Sequence, residues 1–96
     1  MISLSTHVLD TARGVPAAGV RVELVGPNGE DTAEATTDAD GRARLAEGLE
    51  PGEYRLVFHP PSPFFTRVEL TVRLEDGHYH VPLLVSPYGC ASYRGS

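Results

Sequence analysis

Apolar and polar residues alternate with a period of two along most of this chain, and no stretch sustains the 3.6-residue period of an amphipathic helix. Val20-Arg21-Val22-Glu23-Leu24-Val25 sets aliphatic against charged positions, as a strand with one buried face does. Tyr54-Arg55-Leu56-Val57-Phe58 and Val68-Glu69-Leu70-Thr71-Val72-Arg73-Leu74 read the same way. His78 to Val85 is a further strand candidate whose apolar residues bunch at Val81, Leu83, Leu84 and Val85, and a last short strand spans Tyr88 to Tyr93. Turn signals punctuate these runs: Arg13-Gly14, Pro27-Asn28-Gly29, Asp38-Ala39-Asp40-Gly41, Glu50-Pro51-Gly52 and Asp76-Gly77. Pro60, Pro61 and Pro63 form a break that no central strand contains. Ala43 to Gly48 alone has mild helix-forming composition, and it is too short to stand by itself. The expectation is an all-β sandwich of about eight strands with little or no helix, a single domain over residues 1–96.

Composition narrows the function. A chain of 96 residues has a thin core, which association with further copies would reinforce. The net charge of −5 and the lack of a basic cluster argue against a nucleic-acid partner. Every basic residue is Arg, so Schiff-base chemistry on lysine is excluded. The lone Cys90 forbids an intramolecular disulfide and favours a reducing compartment. No signal-peptide pattern opens the chain, and no stretch nears the ~20 apolar residues of a membrane span. A cytoplasmic protein without a membrane partner is the expectation.

Two sets of motifs carry resemblances. Gly14-Val15-Pro16-Ala17, the Val20–Leu24 strand, Thr37-Asp38-Ala39-Asp40-Gly41-Arg42 and Gly52-Glu53-Tyr54-Arg55-Leu56 resemble the prealbumin-like sandwiches, most of which are not enzymes. That layer informs fold more than function. The second is Leu4-Ser5-Thr6-His7-Val8-Leu9-Asp10 at the start and His78-Tyr79-His80-Val81-Pro82-Leu83-Leu84-Val85-Ser86-Pro87-Tyr88-Gly89 leading to Tyr93-Arg94-Gly95-Ser96. With Asp40-Gly41-Arg42, these blocks resemble 5-hydroxyisourate hydrolases, the enzymatic relatives of transthyretin. Transthyretin, a hormone carrier of that fold, lacks the His-rich strand and this ending. Three departures stand out. Cys90-Ala91-Ser92 replaces the usual residues before the last four. The family's short helix is expected to be absent, because only His59-Pro60-Pro61-Ser62-Pro63 separates Phe58 from Phe64. Lysine, frequent on the family's surfaces, does not occur.

The resemblance implies hydrolysis of 5-hydroxyisourate, the opening of a cyclic amide-type C–N bond in urate catabolism. Such a reaction needs a water aimed at a carbonyl carbon, an acceptor for its proton and donors facing the oxyanion. Histidine suits the proton role and arginine suits a planar anionic substrate. By family match, His7 and His80 are the candidates for water activation, with acid and base undecided between them. Arg42, rather than Arg44, would bind substrate oxygens. Tyr93, Arg94, Gly95 and Ser96 would fold into the pocket, Tyr93 touching substrate and Ser96 supplying a hydroxyl or its carboxylate. The resemblance also implies a homotetramer with active sites in clefts between subunits.

Other readings compete for the same residues. His78 and His80 lie two apart and share a strand face, so a three-histidine zinc site with His7 is a rival. No further ligand stands at a recognised spacing, and no metal or cofactor is expected. His78 reads as a supporting or interface residue, and His59 has no assigned role. Cys90 lacks an activating partner. Asp10, Asp38 and Asp40 are better explained by turn chemistry than by calcium. A transthyretin-like carrier or a structural module remains the alternative to an enzyme, though neither needs His7, Arg42, His80 and the final tetrapeptide to converge.

Overall fold

The computed structural model describes residues 1–96. Strict alternation in Ile2-Ser3-Leu4-Ser5-Thr6-His7-Val8 produces β1 (Ile2–Asp10), whose Ile2, Leu4, Thr6 and Val8 are buried while Ser3, Ser5 and His7 face outward. Around it are arranged β2 (Val15–Pro16), β5 (Arg42–Leu49), β8 (Gly77–His80), β9 (Leu83–Ser86) and β10 (Gly89–Ser92), which complete a six-stranded sheet. One edge of β1 pairs antiparallel with β5 and then β2, and the other pairs parallel with β8 and then β9. The second sheet is β4 (Asp31–Thr36), β3 (Arg21–Val25), β6 (Gly52–His59) and β7 (Val68–Leu74), antiparallel in the order β4-β3-β6-β7. The core lies between the two layers, where Leu4 and Val8 of β1 and Leu83 and Val85 of β9 join Leu24, Leu56 and Phe58 in one apolar cluster.

The all-β sandwich expected from the alternation is present, and no helix occurs. Ten strands replace about eight for two physical reasons. The two-residue β2 is too short to carry a pattern. The single strand expected over His78–Val85 is divided at Val81-Pro82, because Pro82 has no N–H to give to the ladder. Ala43–Gly48, mildly helical by composition, is strand: pairing with β1 from Ile2 to His7 overrides its local propensity. After β6 the chain crosses to β7 through a helix-free connection, in which Ser62 Oγ accepts from the amides of Phe64 and Phe65 and donates to the Pro87 carbonyl.

Two devices hold the region where β8 hands over to β9. The buried Thr6 hydroxyl donates to the Val81 carbonyl at 2.7 Å, and the Val81 amide donates to the Ser5 carbonyl at 2.9 Å. At the other edge of β1 the Asp38–Gly41 turn ends in Gly41, at φ 75°, where a Cβ would come 2.4 Å from the Val8 carbonyl oxygen. Only glycine accommodates both that backbone conformation and that approach.

Thr6→Val keeps the shape and leaves the buried Val81 carbonyl without its side-chain donor. Urea denaturation is expected to report a loss of about 1–3 kcal/mol, with Thr6→Ser recovering part of it. A variant as stable as the parent would remove this hydrogen bond from the account.

Candidate active site

The outward residues of β1 are the middle row of the site. Strand register sets Ser3 beside His78 and Ser5 beside His80 on the β8 side. On the β5 side it sets Ser5 beside Arg44 and His7 beside Arg42. Since paired residues project from the same face of a sheet, three histidines, two arginines and two serines share one surface. Residues far apart in sequence are thus brought together by ladders rather than by a loop.

Hydrogen bonds order this surface. Ser5 Oγ lies 2.9 Å from His80 Nδ1 and 3.0 Å from His78 Nε2, and Ser3 Oγ lies 2.6 Å from His78 Nδ1. His7 Nε2 is 2.9 Å from the Asp40 carbonyl oxygen. A carbonyl only accepts, so His7 Nε2 carries the hydrogen and Nδ1 of the neutral ring keeps its lone pair. The Asp40 carbonyl is fixed in turn by Asp38, whose Oδ1 accepts from the amides of Asp40 and Arg42. Asp10 Oδ1 similarly accepts from the amides of Ala12 and Arg13. These two carboxylates therefore serve turns, and no three His, Cys, Asp or Glu side chains converge as metal ligands would.

Electrostatics distinguish the members. His80 is half-buried, and burial, reinforced by the positive charge of Arg42 and by His7 and His78, holds its imidazolium below the usual pKa. These effects favour its neutral form, and Nδ1 is engaged by Ser5. Arg21, Arg44, Arg55, Arg67 and Arg73 are each ion-paired to glutamates. The Arg42 side chain has no such partner and is exposed beside the histidines. An unpaired guanidinium next to a neutral imidazole suits an anionic ligand.

The carboxy-terminal residues close one side. Gly95 bridges to His80, its amide donating to the His80 carbonyl at 2.7 Å. A Cβ on Gly95 would stand 2.7 Å from His80 Cδ2, so this backbone packs directly against the imidazole. Ser96 follows into an open cleft of about 380 Å³, lined also by Ser5, Arg42, Arg44, His78 and His80.

Of the residues singled out by sequence, Arg42, His80 and Ser96 line this cleft, and Gly95 backs the His80 ring. His7 sits beside Arg42 on the same sheet face. Tyr93 and Arg94 instead line a separate depression of about 670 Å³ against β7, where the Arg94 guanidinium stacks 4.3 Å from the Tyr79 ring centroid. Within one chain they do not meet the histidines. Ser5 was not singled out by sequence, although its position two residues before His7 puts it on the same face. Cys90 packs against the core, where burial pushes its thiol pKa up and disfavours the thiolate. His59 lies on the other sheet, its Nε2 2.7 Å from a Glu23 carboxylate oxygen.

A family model described as the HIUase/Transthyretin family matches residues 4–95. A protein of Caulobacter vibrioides named 5-hydroxyisourate hydrolase is 47% identical over an alignment of 115 residues that covers 100% of both chains. That alignment is longer than this 96-residue chain, so the relative carries segments that this one lacks. The solved structure of Klebsiella pneumoniae 5-hydroxyisourate hydrolase superposes with a TM-score of 0.89 at 37% identity, covering 100% of each chain. Sea bream transthyretin, solved in complex with thyroxine, gives a TM-score of 0.84 at 26% identity over 96% of this chain and 93% of its own. Sequence and fold agree: this chain belongs to the HIUase/transthyretin family.

Proposed function

We infer that this chain is a 5-hydroxyisourate hydrolase, an enzyme of urate degradation. Full-length relatives of that name from several bacteria support this activity. The observation that favours an enzyme over a carrier is the half-buried His80, its charged form disfavoured by burial, sharing a cleft with the unpaired Arg42.

In the proposed mechanism the anionic, planar substrate docks on Arg42, whose fork of donors meets its oxygens. When His80 Nδ1–H donates to Ser5 Oγ, Nε2 holds the lone pair and takes a proton from the attacking water. Arg42 then faces the oxyanion that develops on the ring carbonyl. His7, anchored by its Nε2 to the Asp40 carbonyl, keeps an Nδ1 lone pair beside Arg42 and orients substrate or water. Ser96 contributes a hydrogen-bonding group at the open end of the cleft. No step requires a metal or an organic cofactor.

Assembly belongs to the same reading. β10 and β7 end their sheets with one backbone edge unpaired, and the cleft is open to solvent. Edges of this kind favour pairing with further copies. A homotetramer with active sites between subunits would cover the clefts and give Tyr93 and Arg94, whose side chains line a separate depression of their own chain, a place at a site. No helix is long and apolar enough to cross a membrane. The free thiol of Cys90 favours a reducing compartment, and this reading places the protein in the cytoplasm.

The test generates 5-hydroxyisourate from urate with urate oxidase and follows its decay. The protein is expected to accelerate decay, and His80→Asn and Arg42→Gln each to lose about a hundredfold or more in kcat/KM. Decay at the spontaneous rate with the parent protein would refute the activity. The sign of the pH dependence follows from His80. Only the neutral ring accepts a proton, and burial and Arg42 disfavour its charged form. Activity should therefore rise with pH and level off below the ordinary imidazole pKa. Removing the like charge in Arg42→Gln should shift the residual activity's limb to higher pH; an unmoved limb would show that Arg42 does not act on His80. Sedimentation equilibrium tests assembly separately: a tetramer is expected, and a fully active monomer would overturn that part.

A further inference from the structure

We propose that Ser5 is a positioning residue that joins His80 to His78 in a proton relay, carrying charge from the half-buried His80 ring to the exposed His78 ring that lines the same cleft. The proposal rests on the reading above, in which His80 takes the proton of the attacking water.

The geometry constrains the relay. Ser5 Oγ contacts a ring nitrogen of both histidines, His80 Nδ1 at 2.9 Å and His78 Nε2 at 3.0 Å. A hydroxyl has one proton, so at most one of these nitrogens accepts from it and the other must donate. In two arrangements the Ser5 proton lies between the two rings. In the first, His80 Nδ1–H donates to Ser5 and Ser5 donates to His78 Nε2, which leaves His80 Nε2 with its lone pair. In the second, His78 Nε2–H donates to Ser5 and Ser5 donates to His80 Nδ1, which leaves a hydrogen on His80 Nε2. His80 is a base at Nε2 in the first arrangement and an acid there in the second. The orientation of one hydroxyl selects between them.

Turnover turns the Ser5 hydroxyl from the first orientation to the second, with His78 transiently carrying the extra proton. As water attacks the carbonyl carbon, its O–H bond breaks and an N–H bond forms at His80 Nε2. The proton on His80 Nδ1 passes to Ser5 Oγ, and the proton originally on Ser5 passes to His78 Nε2. His80 and Ser5 end neutral, and His78 ends as an imidazolium whose Nδ1–H donates to Ser3 Oγ at 2.6 Å. When the ring C–N bond breaks, His80 Nε2–H gives its proton to the departing nitrogen. In the same step His78 returns its extra proton through Ser5 to His80 Nδ1, so that His80 stays neutral. One water is consumed, and its hydroxyl ends on carbon and its proton on nitrogen.

Burial and charge explain why a relay helps. An imidazolium at His80 is half-buried and faces Arg42 from β5 and His7 from β1, with Arg44 of β5, Asp38 and Ser96 also lining the cleft. His78 is exposed, and register sets it opposite Ser3, one step of the ladder farther from Arg42 and His7. Arg44, the nearer arginine in the ladder, has its charge matched by Glu47. Moving the positive charge to His78 puts it in water and away from the unpaired guanidinium. A merely structural Ser5 would need no second histidine on the same oxygen.

Ser5→Ala, Ser5→Thr and His78→Gln are compared with the parent and with His80→Asn, with folding checked by circular dichroism. The readouts are kcat, KM and a proton inventory of kcat in mixtures of light and heavy water. The parent should give a bowl-shaped inventory, the sign of several protons in flight. Ser5→Ala and His78→Gln should lower kcat by about tenfold or more with KM little changed, and their inventories should become linear. Ser5→Thr, which keeps the hydroxyl, should restore the parent's behaviour. His78→Gln alters only an exposed side chain, so it decides the matter even if Ser5→Ala folds poorly. Parental kcat and inventory in His78→Gln, with His80→Asn inactive, would overturn the relay and leave the hydrolase reading standing. Full activity in His80→Asn would overturn the role of His80 and the relay with it.

Discussion

Backbone pairing on both edges of β1 is the constraint from which the remaining structure follows. From Ile2 to Ser5 the strand is held by β5 on one side and β8 on the other, and near Asp10 by β2 and β9. Its inward face is committed to the core through Ile2, Leu4 and Val8. Only the outward face is left for chemistry, and in that register it must carry Ser3, Ser5 and His7. A slip of one residue would drive all three into the apolar layer. Thr6 is the one polar residue on the inward face of this run, and its hydroxyl is used where β8 ends, at the Val81 carbonyl. The fold and the site are therefore specified by the same strand.

Charge is distributed to match. Arginines on the second sheet are matched by glutamates, as in Arg21 with Glu34 and Arg55 with Glu69. That sheet's outer face is a solvated, neutralised surface. The histidine face differs because Arg42 is left without a carboxylate, while Asp38 beside it is occupied with backbone amides. A positive group without a counter-ion next to a half-buried neutral histidine is a poor choice for stability and a good one for binding an anion. Pairs of exposed charges contribute little to folding, so the protein loses little by leaving Arg42 free.

Much of this was legible in the sequence where local pattern and final environment coincide. Alternation marked β3, β6 and β7, and the Asp-Gly of Asp40-Gly41 marked the turn that anchors His7. β4 and β5 were harder. Asp31–Thr36 carries few apolar residues because its strand lies at a sheet edge, and Ala43–Gly48 is strand only because β1 pairs with it. The division at Pro82 required knowing that β8 and β9 both lie along β1. Of the residues that the motif resemblance singles out, Arg42, His80 and Ser96 line one cleft. Ser5 was overlooked because a serine in a strand carries no chemical signature until its neighbours are known. Tyr93 and Arg94 were expected in the pocket, and a four-residue motif could not reveal that its two halves face different depressions.

Among all contacts, the fit of Gly95 against the His80 ring tests most directly whether the carboxy-terminal segment and the β1 face form one active site. Gly95→Ala introduces a Cβ that would stand 2.7 Å from His80 Cδ2 and must displace the imidazole or the terminal strand. The decisive measurement is kcat/KM for 5-hydroxyisourate in this variant, taken with its urea midpoint. The account predicts a loss of at least about tenfold in kcat/KM with a midpoint close to the parent's, since the change lies at a solvent-facing terminus. Unchanged kcat/KM in a folded Gly95→Ala protein would contradict it.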